Sequence, residues 1–188
     1  NKLLNACNFA FMNMKDYRPK KPKEIIEIDK TFLNELNSLI KDVTDNFEGY
    51  NYSSAKLRLE QFFWKDFCDN YLEIVKWRVY NGTKEEKESA FYTIYTSLLT
   101  IIKLISPITP FITEYLYQEY FRQNEQVKSI HISKWPEYLK PKEKTIVKKY
   151  EDGELGMNKW GLFTNVLSKI RKQKSEKNKS MNSEISLI

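Results

Sequence analysis

Side chains that could do chemistry are concentrated in one stretch of this sequence, QFFWKDFCDNYLEIVKWR, residues 61–78. Cys68 lies there between Asp66 and Asp69, an arrangement that could serve as a nucleophile, a metal ligand or a carboxylate pair. A nucleophilic thiol needs a basic neighbour and a histidine that activates it. The only histidine, His131, is remote in sequence, so neither Cys68 nor His131 is expected to be catalytic.

The acidic residues of this stretch are also compatible with an ordinary amphipathic helix. Asp66, Asp69 and Glu73 step by three and four, so a helix would place them on one face. Asp69 and Glu73 could act as an acid/base pair, but two acids on a charged helix face are far more often solvated. The other face would be apolar, with Cys68 beside it, and would include Trp64, Phe67, Tyr71, Ile74 and Val75. We therefore predict a structural or binding helix with no catalytic residue.

Cysteine and histidine usage gives little support to metal or disulfide chemistry. The 188 residues include two cysteines and one histidine, without a CxxC pair, whereas a zinc site needs about four soft or imidazole ligands. We expect no metal site, and two reduced thiols in a cytoplasmic protein. No apolar run approaches the roughly 20 residues of a membrane span, so no membrane partner is expected. The first residue is asparagine, which favours a piece of a longer polypeptide.

Glycine is scarce, at 5 residues, and apolar residues recur every three or four positions, which favours long helices. Thr83 and Glu86 have the spacing of a capping box, and Gly82 is expected to end the preceding helix in a left-handed conformation. Thr109 and Pro110 favour another helix start. The helices are predicted at about 2–14, 24–47, 53–80, 83–105, 109–121 and 157–174. The predicted fold is mainly α, an antiparallel helical bundle.

Two short segments are predicted to be extended rather than helical. SIHIS, at residues 129–133, and the C-terminal residues 183–188 both alternate apolar and polar side chains, which is the period of a strand. Three regions are expected in consequence. They are a helical bundle over 1–125, an extended connector over 126–156, and a basic helix with the first strand of a truncated C-terminal region over 157–188.

Positive charge is concentrated in two places. Between Lys15 and Lys23 five basic residues face one aspartate, a net +4, and between Lys169 and Lys179 six face one glutamate, a net +5. Because the whole chain carries +6, the remainder is about −3. Clustered lysine and arginine are the usual footprint of a polyanion-binding protein, although a solvated lysine-rich surface explains them equally well.

FWKDFCDNYLE, within the stretch described first, closely resembles the W-x-x-FCDWYLE helix in the anticodon-binding domain of valyl-tRNA synthetases, a class I aminoacyl-tRNA synthetase family. Four further segments resemble motifs of this family, in the family's order. They are NKLLNACNFAFMN, SPITPFITEYLYQEYF, SIHISKWPE and IRKQKSEKNKSMN, and the five together span nearly the whole chain. The resemblance implies a helical bundle of the class I anticodon-binding type, whose partner is the anticodon stem-loop of tRNA(Val).

The HIGH and KMSKS sequences that mark catalysis in this family are absent from the chain. The resemblance therefore implies an anticodon-binding part with no catalytic centre and no cofactor of its own. In the parent valine–tRNA ligase, catalytic and editing domains of the same polypeptide would use ATP and magnesium to attach valine. Two alternatives remain open: the corresponding domain of an isoleucyl- or leucyl-tRNA synthetase, and a helical interaction domain with no role in RNA binding.

The resemblance also implies which residues read the anticodon. Phe9 corresponds to an aromatic that stacks on a loop base in the family, with a core position as the alternative. Asn5 and Asn8 would bond base edges, and either could instead be an ordinary surface amide. A second helix would supply an apolar contact, an acceptor and a phosphate contact, from Leu72, Glu73 and Lys76. The tRNA backbone would be held by Lys169, Arg171, Lys172, Lys174 and Lys177.

Three positions depart from the family's motifs. Its tryptophan in the first helix is Leu4 here, its arginine before the stacking aromatic is Asn8, and the tryptophan of its FCDWYLE motif is Asn70. These departures fall where an RNA surface is expected, so the anticodon contacts are expected to differ in detail.

Overall fold

The computed structural model describes residues 2–14, 17–139, 158–180 and 183. All regular secondary structure in these ranges is helical, which confirms the predicted mainly α fold. A π-helix covers Phe62–Leu72 and a 3-10 helix covers Ile130–Ile132. The α-helices are α1 (Lys2–Asn13), α2 (Glu27–Glu48), α3 (Tyr52–Gln61), α4 (Glu73–Asn81), α5 (Lys84–Ile105), α6 (Pro110–Tyr120), α7 (Arg122–Glu125) and α8 (Lys159–Glu176).

The chain divides into two compact units, residues 1–140 and 141–188. The first contains α1 to α7, where α2 packs on α3 and α5, and α6 packs on α5 and α1. The second contains α8, whose start is capped by Asn158, because the side-chain oxygen of Asn158 accepts the Gly161 N–H at 2.8 Å. The predicted region boundaries after residues 125 and 156 stay a prediction.

The stretch that concentrates reactive side chains belongs to one long helical rod, α3, the π-helix and α4, from Tyr52 to Asn81. Its bounds agree closely with the helix predicted over 53–80. Backbone bonds in the middle of the rod run five residues back, which defines a π-helix. Asn70 is buried there, and its side-chain amide donates to the Lys65 carbonyl, also five residues back, at 2.8 Å.

The π-helix changes which side chains face the core. Its buried apolar residues are Phe62, Phe63, Phe67, Tyr71 and Leu72. Trp64, predicted on the apolar face, is instead 45% exposed, and the Lys2 ammonium nitrogen lies 3.6 Å from the centre of its ring. The prediction for Trp64 was wrong because it assumed an unbroken α-helical period.

The junction after the rod follows the predicted positions but not the predicted conformation. Gly82 ends α4 with φ −67° and ψ 161°, so it is extended rather than left-handed. A Cβ atom at Gly82 would lie 2.5 Å from the Arg78 carbonyl oxygen, and this close approach is what requires glycine. The capping box is confirmed, since Glu86 accepts the Thr83 N–H at 2.8 Å and Thr83 accepts the Glu86 N–H at 3.3 Å.

Ile130–Ile132 form a turn of 3-10 helix, so the segment predicted to be extended over 129–133 is extended only at its two ends, Ser129 and Ser133. Glu114 on α6 accepts both the Ser129 hydroxyl, at 2.8 Å, and the Ile130 N–H, at 3.0 Å. The Ser129 hydroxyl also accepts the His131 N–H at 3.2 Å. The backbone N–H groups of Ile130 and His131 are therefore already hydrogen-bonded and are not offered to a neighbouring strand. The other segment predicted to be extended, 183–188, lies outside the described residues except for Ser183.

The core of the first unit is built around stacked aromatic rings. Phe32 of α2 lies 4.1 Å from Tyr71, ring centre to ring centre and nearly parallel, and 5.4 Å from Phe62. All three side chains are fully buried. Two residues of the π-helix thus stack on Phe32, which ties this part of the rod to α2.

A buried ionic network sits beside this aromatic stack. Asp29 is fully buried and accepts two hydrogen bonds from the Arg78 guanidinium, at 2.6 and 2.8 Å. The Tyr71 and Ser89 hydroxyls also donate to Asp29, at 2.8 and 2.6 Å. One carboxylate therefore joins α2, the π-helix, α4 and α5.

The described part of the predicted connector, residues 126–139, packs within the first unit. The Trp135 indole N–H donates to the Thr44 hydroxyl at 2.9 Å, and Asn37 exchanges hydrogen bonds with the Leu139 backbone at 2.7 and 2.9 Å. The remainder of the connector, residues 140–156, lies outside the described residues. Across the portion of the chain that the structure describes, no helix combines the length and the apolar character needed to cross a membrane.

Candidate nucleic-acid interface

Helix α1 has a buried face of small side chains and an outward face of larger ones. Ala6, Cys7 and Ala10 are buried, which lets the helix backbone approach its neighbours closely. Residues three or four positions apart lie on the same side of a helix, and this spacing defines the outward face of α1. It consists of Asn5, Asn8, Phe9 and Met12, of which Phe9 is half-buried and the others are exposed.

Phe9 lies next to the rod at the predicted second helix. The Lys76 ammonium nitrogen is 5.9 Å from the centre of the Phe9 ring, within the range of a cation–π contact. Glu73 holds Lys76 in turn, with 2.5 Å between its carboxylate oxygen and the ammonium nitrogen. The structure therefore brings Phe9, Glu73 and Lys76 together. Leu72, the third residue predicted on this helix, is 7% exposed and belongs to the core.

Tyr120 is a member of this surface that sequence reasoning missed. Its hydroxyl donates a hydrogen bond to the side-chain oxygen of Asn8. Its ring stacks on Phe11, with the ring centres 4.8 Å apart and the planes 23° apart. Tyr120 and Asn8 are 112 positions apart, so nothing in local spacing could have indicated the contact.

The exposed side of α4 carries two further aromatic residues that were not predicted as site residues. Trp77 and Tyr80 are 64% and 56% exposed. They follow Glu73 by four and seven positions, so the three share one outward stripe on the helix. The periodicity of the sequence could have found this stripe, since it lies opposite the buried Val75 and Val79.

The two cysteines have the environment of packing residues. Burial, with a contribution from the neighbouring Cys68, raises the pKa of Cys7 to about 12. Burial is also the main cause that raises the pKa of Cys68 to about 11. Both thiols are therefore protonated at neutral pH, and a protonated thiol is neither a good nucleophile nor a good metal ligand. Within the described ranges, no three side chains among histidine, cysteine, aspartate and glutamate gather as a metal site.

One of the three positions that depart from the family's motifs, Asn70, lies away from the outward face of α1. Asn70 is 7% exposed and bonded to the backbone of the π-helix, so the substitution changes the core rather than an RNA surface. Leu4 is half-buried. Leu4 precedes Asn8 by four positions and therefore lies near it on the helix surface, and Asn8 itself is exposed on the outward face.

The predicted backbone-binding residues lie on or just after α8 in the second unit. Lys169 and Lys172 are exposed, whereas Arg171 and Lys174 are half-buried. The Lys174 ammonium group donates to the Ser183 carbonyl at 2.5 Å. At 100° per residue these positions spread around the helix, so they form a basic end rather than a single basic stripe.

The fold and this surface define a helical binding module, because the first unit presents aromatic, amide and cationic side chains outward while both of its thiols are protonated. The chain belongs to the family described as the anticodon-binding domain of tRNA ligase, whose match covers residues 29–188. This range includes the rod and α8 but begins after α1.

The relatives that this chain matches include valine–tRNA ligases from bacteria and archaea. The enzyme of Orientia tsutsugamushi is 38% identical over 162 residues, or 85% of this chain and 18% of that protein. The enzyme of Pyrococcus abyssi is 32% identical over 98% of this chain and 20% of its own length. The enzyme of Wolbachia pipientis is 37% identical over 96% of this chain and 19% of its own length. The chain thus spans about a fifth of the length of these curated relatives.

Proposed function

We propose that this chain is the anticodon-recognition module of a valine–tRNA ligase and that it binds the anticodon loop of tRNA(Val). The observation that carries the site assignment is the Phe9 ring beside the Lys76 ammonium group, 5.9 Å apart where α1 meets the rod. A base in a single-stranded loop needs an aromatic face to stack on and a cation for its phosphate. The family match and the valine–tRNA ligase relatives support RNA as the partner.

The residues of this surface would make different contacts with the anticodon loop, according to their side-chain chemistry. Phe9 would stack on one loop base, an interaction that contributes about 1–3 kcal/mol per base. Lys76, oriented by Glu73, would contact the adjacent phosphate. Asn5 and Asn8 would bond base edges beside Phe9. Leu72 is buried, so its part would be to support the rod from the core.

The valine assignment fixes which bases are read. Valine codons require an anticodon whose middle base is adenine and whose last base is cytosine. In a loop the Watson–Crick edges of these bases are unpaired and accessible to side-chain amides. The exposed amides of Asn5 and Asn8, on the same face of α1 as Phe9, have the donors and acceptors that such edges need.

The activity of the full-length protein is part of the same proposal. Its catalytic and editing domains, on the same polypeptide, would use ATP and magnesium to attach valine to the bound tRNA in the cytoplasm. No residue of this chain is proposed to bind ATP or magnesium. The contribution of this chain would be to bind and orient the tRNA. The basic end of α8 would hold the tRNA backbone through its phosphates.

A titration with anticodon stem-loops tests this proposal. The 188-residue chain is titrated with the valine stem-loop and with the same loop carrying another base at the middle position, at two salt concentrations. We expect the matched loop to bind more tightly, by about 1–3 kcal/mol, which is the usual cost of one wrong base. Binding should also weaken as salt increases.

Three other outcomes of this titration would each reject part of the proposal. Equal affinity for matched and altered loops would reject specific anticodon reading. Tighter binding to an isoleucine or leucine stem-loop than to the valine loop would reject the choice of amino acid. An absence of salt-sensitive binding to any loop would favour a helical interaction domain instead.

A further inference from the structure

We infer that Trp77 and Tyr80 on α4 form a second stacking surface for RNA, which binds the loop nucleotide adjoining the one on Phe9, whichever base that nucleotide carries. The inference rests on the proposed function, because it starts from a single-stranded loop at Phe9. It adds two binding residues to the anticodon contacts proposed above, and it assigns them to affinity rather than to selectivity.

Trp77 and Tyr80 present aromatic rings to solvent. Their side chains are 64% and 56% exposed, although an indole and a phenol are among the side chains that bury the largest area when they pack. Val75 and Val79 are buried on the opposite side of α4 and fix which way the helix faces. The packing of α4 thus leaves both rings outside the core and open to a ligand.

Lys76 connects these rings to the Phe9 site. Tyr80 follows Lys76 by four positions and Trp77 by three, so its side chain neighbours both on the helix surface. Aromatic side chains on a helix lean toward its N-terminus, which brings the Tyr80 ring back over the turn that carries Lys76. The Lys76 ammonium nitrogen is itself 5.9 Å from the centre of the Phe9 ring. Lys76 therefore adjoins Phe9 across the helix interface and Tyr80 along its own helix.

This arrangement suits a nucleotide better than an apolar protein partner. Every base has a π-face, so stacking on aromatic side chains tolerates any sequence, and the phosphate that links two successive nucleotides would lie near Lys76. An apolar protein surface would instead bury the charges of Lys76 and Glu73, whose side chains are 42% and 50% exposed on the same side of α4. Taking such a pair out of water is costly.

Removing both rings tests the second surface. Trp77→Leu with Tyr80→Leu keeps apolar side chains of good helix propensity and should leave the melting temperature unchanged. We expect this double variant of the 188-residue chain to bind the valine stem-loop, and the loop with an altered middle base, about fivefold or more weakly. The discrimination ratio should stay the same. Phe111→Leu with Tyr115→Leu removes a comparable pair of exposed rings from α6 and should change neither affinity.

A series of modified loops locates the nucleotide. In each stem-loop of the series, one loop nucleotide keeps its sugar and phosphate but lacks its base. At the position that stacks on Trp77 and Tyr80, loss of the base should weaken binding to the wild-type chain but not to the leucine double variant, because the two changes remove the same interaction. Phe9→Ala identifies its own position in the same way, and the two positions should be neighbours in the loop.

Tryptophan emission gives a direct measurement of the contact. A base that stacks on an indole quenches its emission, and the chain contains four tryptophans. Emission from the wild-type chain should fall when the valine stem-loop is added. Trp77→Phe should lose most of that fall while binding nearly as tightly, because it keeps an aromatic face. Trp64→Phe removes another indole from the rod, 45% exposed, and should retain the fall.

The outcomes separate this inference from the proposed function. If the wild-type chain prefers the matched loop but the leucine double variant binds as tightly as wild type, the inference is overturned, the proposed function stands, and the rings are left as a surface for another protein. The inference also fails if the double variant loses discrimination, if its melting temperature falls together with its affinity, if the two positions are not neighbours, or if Trp77→Phe retains the quenching. If the wild-type chain binds no loop, both fail.

Discussion

Phe9 is the residue on which the candidate site depends most, and its environment is divided between core and surface. It is half-buried, in contrast to the fully buried Phe32 and Phe67 of the core. A core phenylalanine contributes about 3–5 kcal/mol to folding through its burial, whereas a platform must keep part of its face free. Half-burial with a cation 5.9 Å from the ring is consistent with a platform anchored at one edge.

Substituting Phe9 tests whether it acts as a stacking platform or as a core residue. Phe9→Ala should weaken binding of the matched valine stem-loop by about 1–3 kcal/mol, because it removes the stacking face, and should leave the helical bundle folded. Loop titration and thermal unfolding measure the two effects. Phe111→Ala is the matched control, since Phe111 is 90% exposed on α6 and should affect neither measurement. A large fall in melting temperature for Phe9→Ala, with loop affinity unchanged in the folded protein, would show Phe9 to be a core residue.

The cysteine that first suggested catalysis illustrates how burial decides a residue's role. Cys68 is half-buried beside the π-helix core, and its raised pKa, near 11, leaves the thiol protonated at neutral pH. Asp69 contributes to that increase by its negative charge. A nearby carboxylate therefore makes this thiol less reactive rather than more, so the combination of Cys68 and Asp69 is unsuited to nucleophilic chemistry.

At the scale of single residues, the sequence predicted which residues belong to the site better than it predicted which way their side chains face. Spacing and the resemblance predicted Phe9 and Lys76 for one site, and these two side chains do lie together. Leu72 adjoins Glu73 in sequence but faces the core, because the π-helix shifts which positions point inward. The contact between Tyr120 and Asn8 depends on how α6 packs on α1, and a single sequence carries no direct signal for such a packing.

Among the elements, one buried carboxylate links the rod to α2 and α5. Asp29 on α2 accepts four hydrogen bonds, from Tyr71, Arg78 and Ser89. Burial, followed by the negative charge of Asp29, raises the pKa of Tyr71 well above its usual value, so the phenol stays protonated and donates. Because Glu73 and Lys76 lie on the rod between Tyr71 and Arg78, this network also fixes the position of the candidate site.

Removing the charge of Asp29 should destabilise the whole first unit. Asp29→Asn leaves the Arg78 guanidinium buried without its counter-ion, a change that typically costs about 3–5 kcal/mol. Chemical denaturation measures the free energy of unfolding. Asp42→Asn is the matched control, because Asp42 pairs with Arg58 at 3.0 Å but is 47% exposed, and its replacement should have a much smaller effect. Equal decreases for the two variants would mean that the buried network does not hold the rod.

The positions of most helices could be predicted from local sequence signals. The features that were not predicted, such as the 3-10 turn, depend on contacts with residues that are remote in sequence. Apolar periodicity and the capping box placed α1, α2, α5, α6 and α8 to within one turn. The π-helix escaped prediction because a period of four to five residues is hard to separate from 3.6 over eleven positions. The 3-10 turn at 130–132 forms because Glu114, on another helix, takes the Ile130 N–H. Gly82 was correctly placed as a helix end, but its conformation is set by the Arg78 carbonyl.

For the molecule as a whole, charge is distributed unevenly between its regions. The stretch from Lys169 to Lys179 carries a net +5 and the stretch from Lys15 to Lys23 a net +4, in a chain whose total is +6. Around the candidate site, by contrast, the charges of Lys76 and Glu73 compensate each other. We therefore expect base reading and phosphate binding to be separable, with selectivity arising on α1 and the rod, and salt dependence arising largely at α8.

Neutralising two exposed lysines of α8 tests that separation. Lys169→Gln with Lys172→Gln should reduce the dependence of the logarithm of the tRNA affinity on the logarithm of salt concentration, by about 0.7 in slope for each phosphate that the variant no longer neutralises. Discrimination between the matched and altered anticodons should stay the same, because phosphate contacts carry no sequence information. The measurement is a salt series of binding titrations with a full-length valine tRNA transcript.

The control for this experiment uses lysines outside the basic stretches. Lys30→Gln with Lys56→Gln removes the same charge from exposed positions on α2 and α3 and should leave the slope nearly unchanged. An equal decrease in slope for both double variants would mean that net charge alone attracts the RNA, without a defined phosphate site at α8. A loss of anticodon discrimination in the α8 variant would show that phosphate binding and base reading are coupled, because α8 would then be needed to set the position of the loop on Phe9.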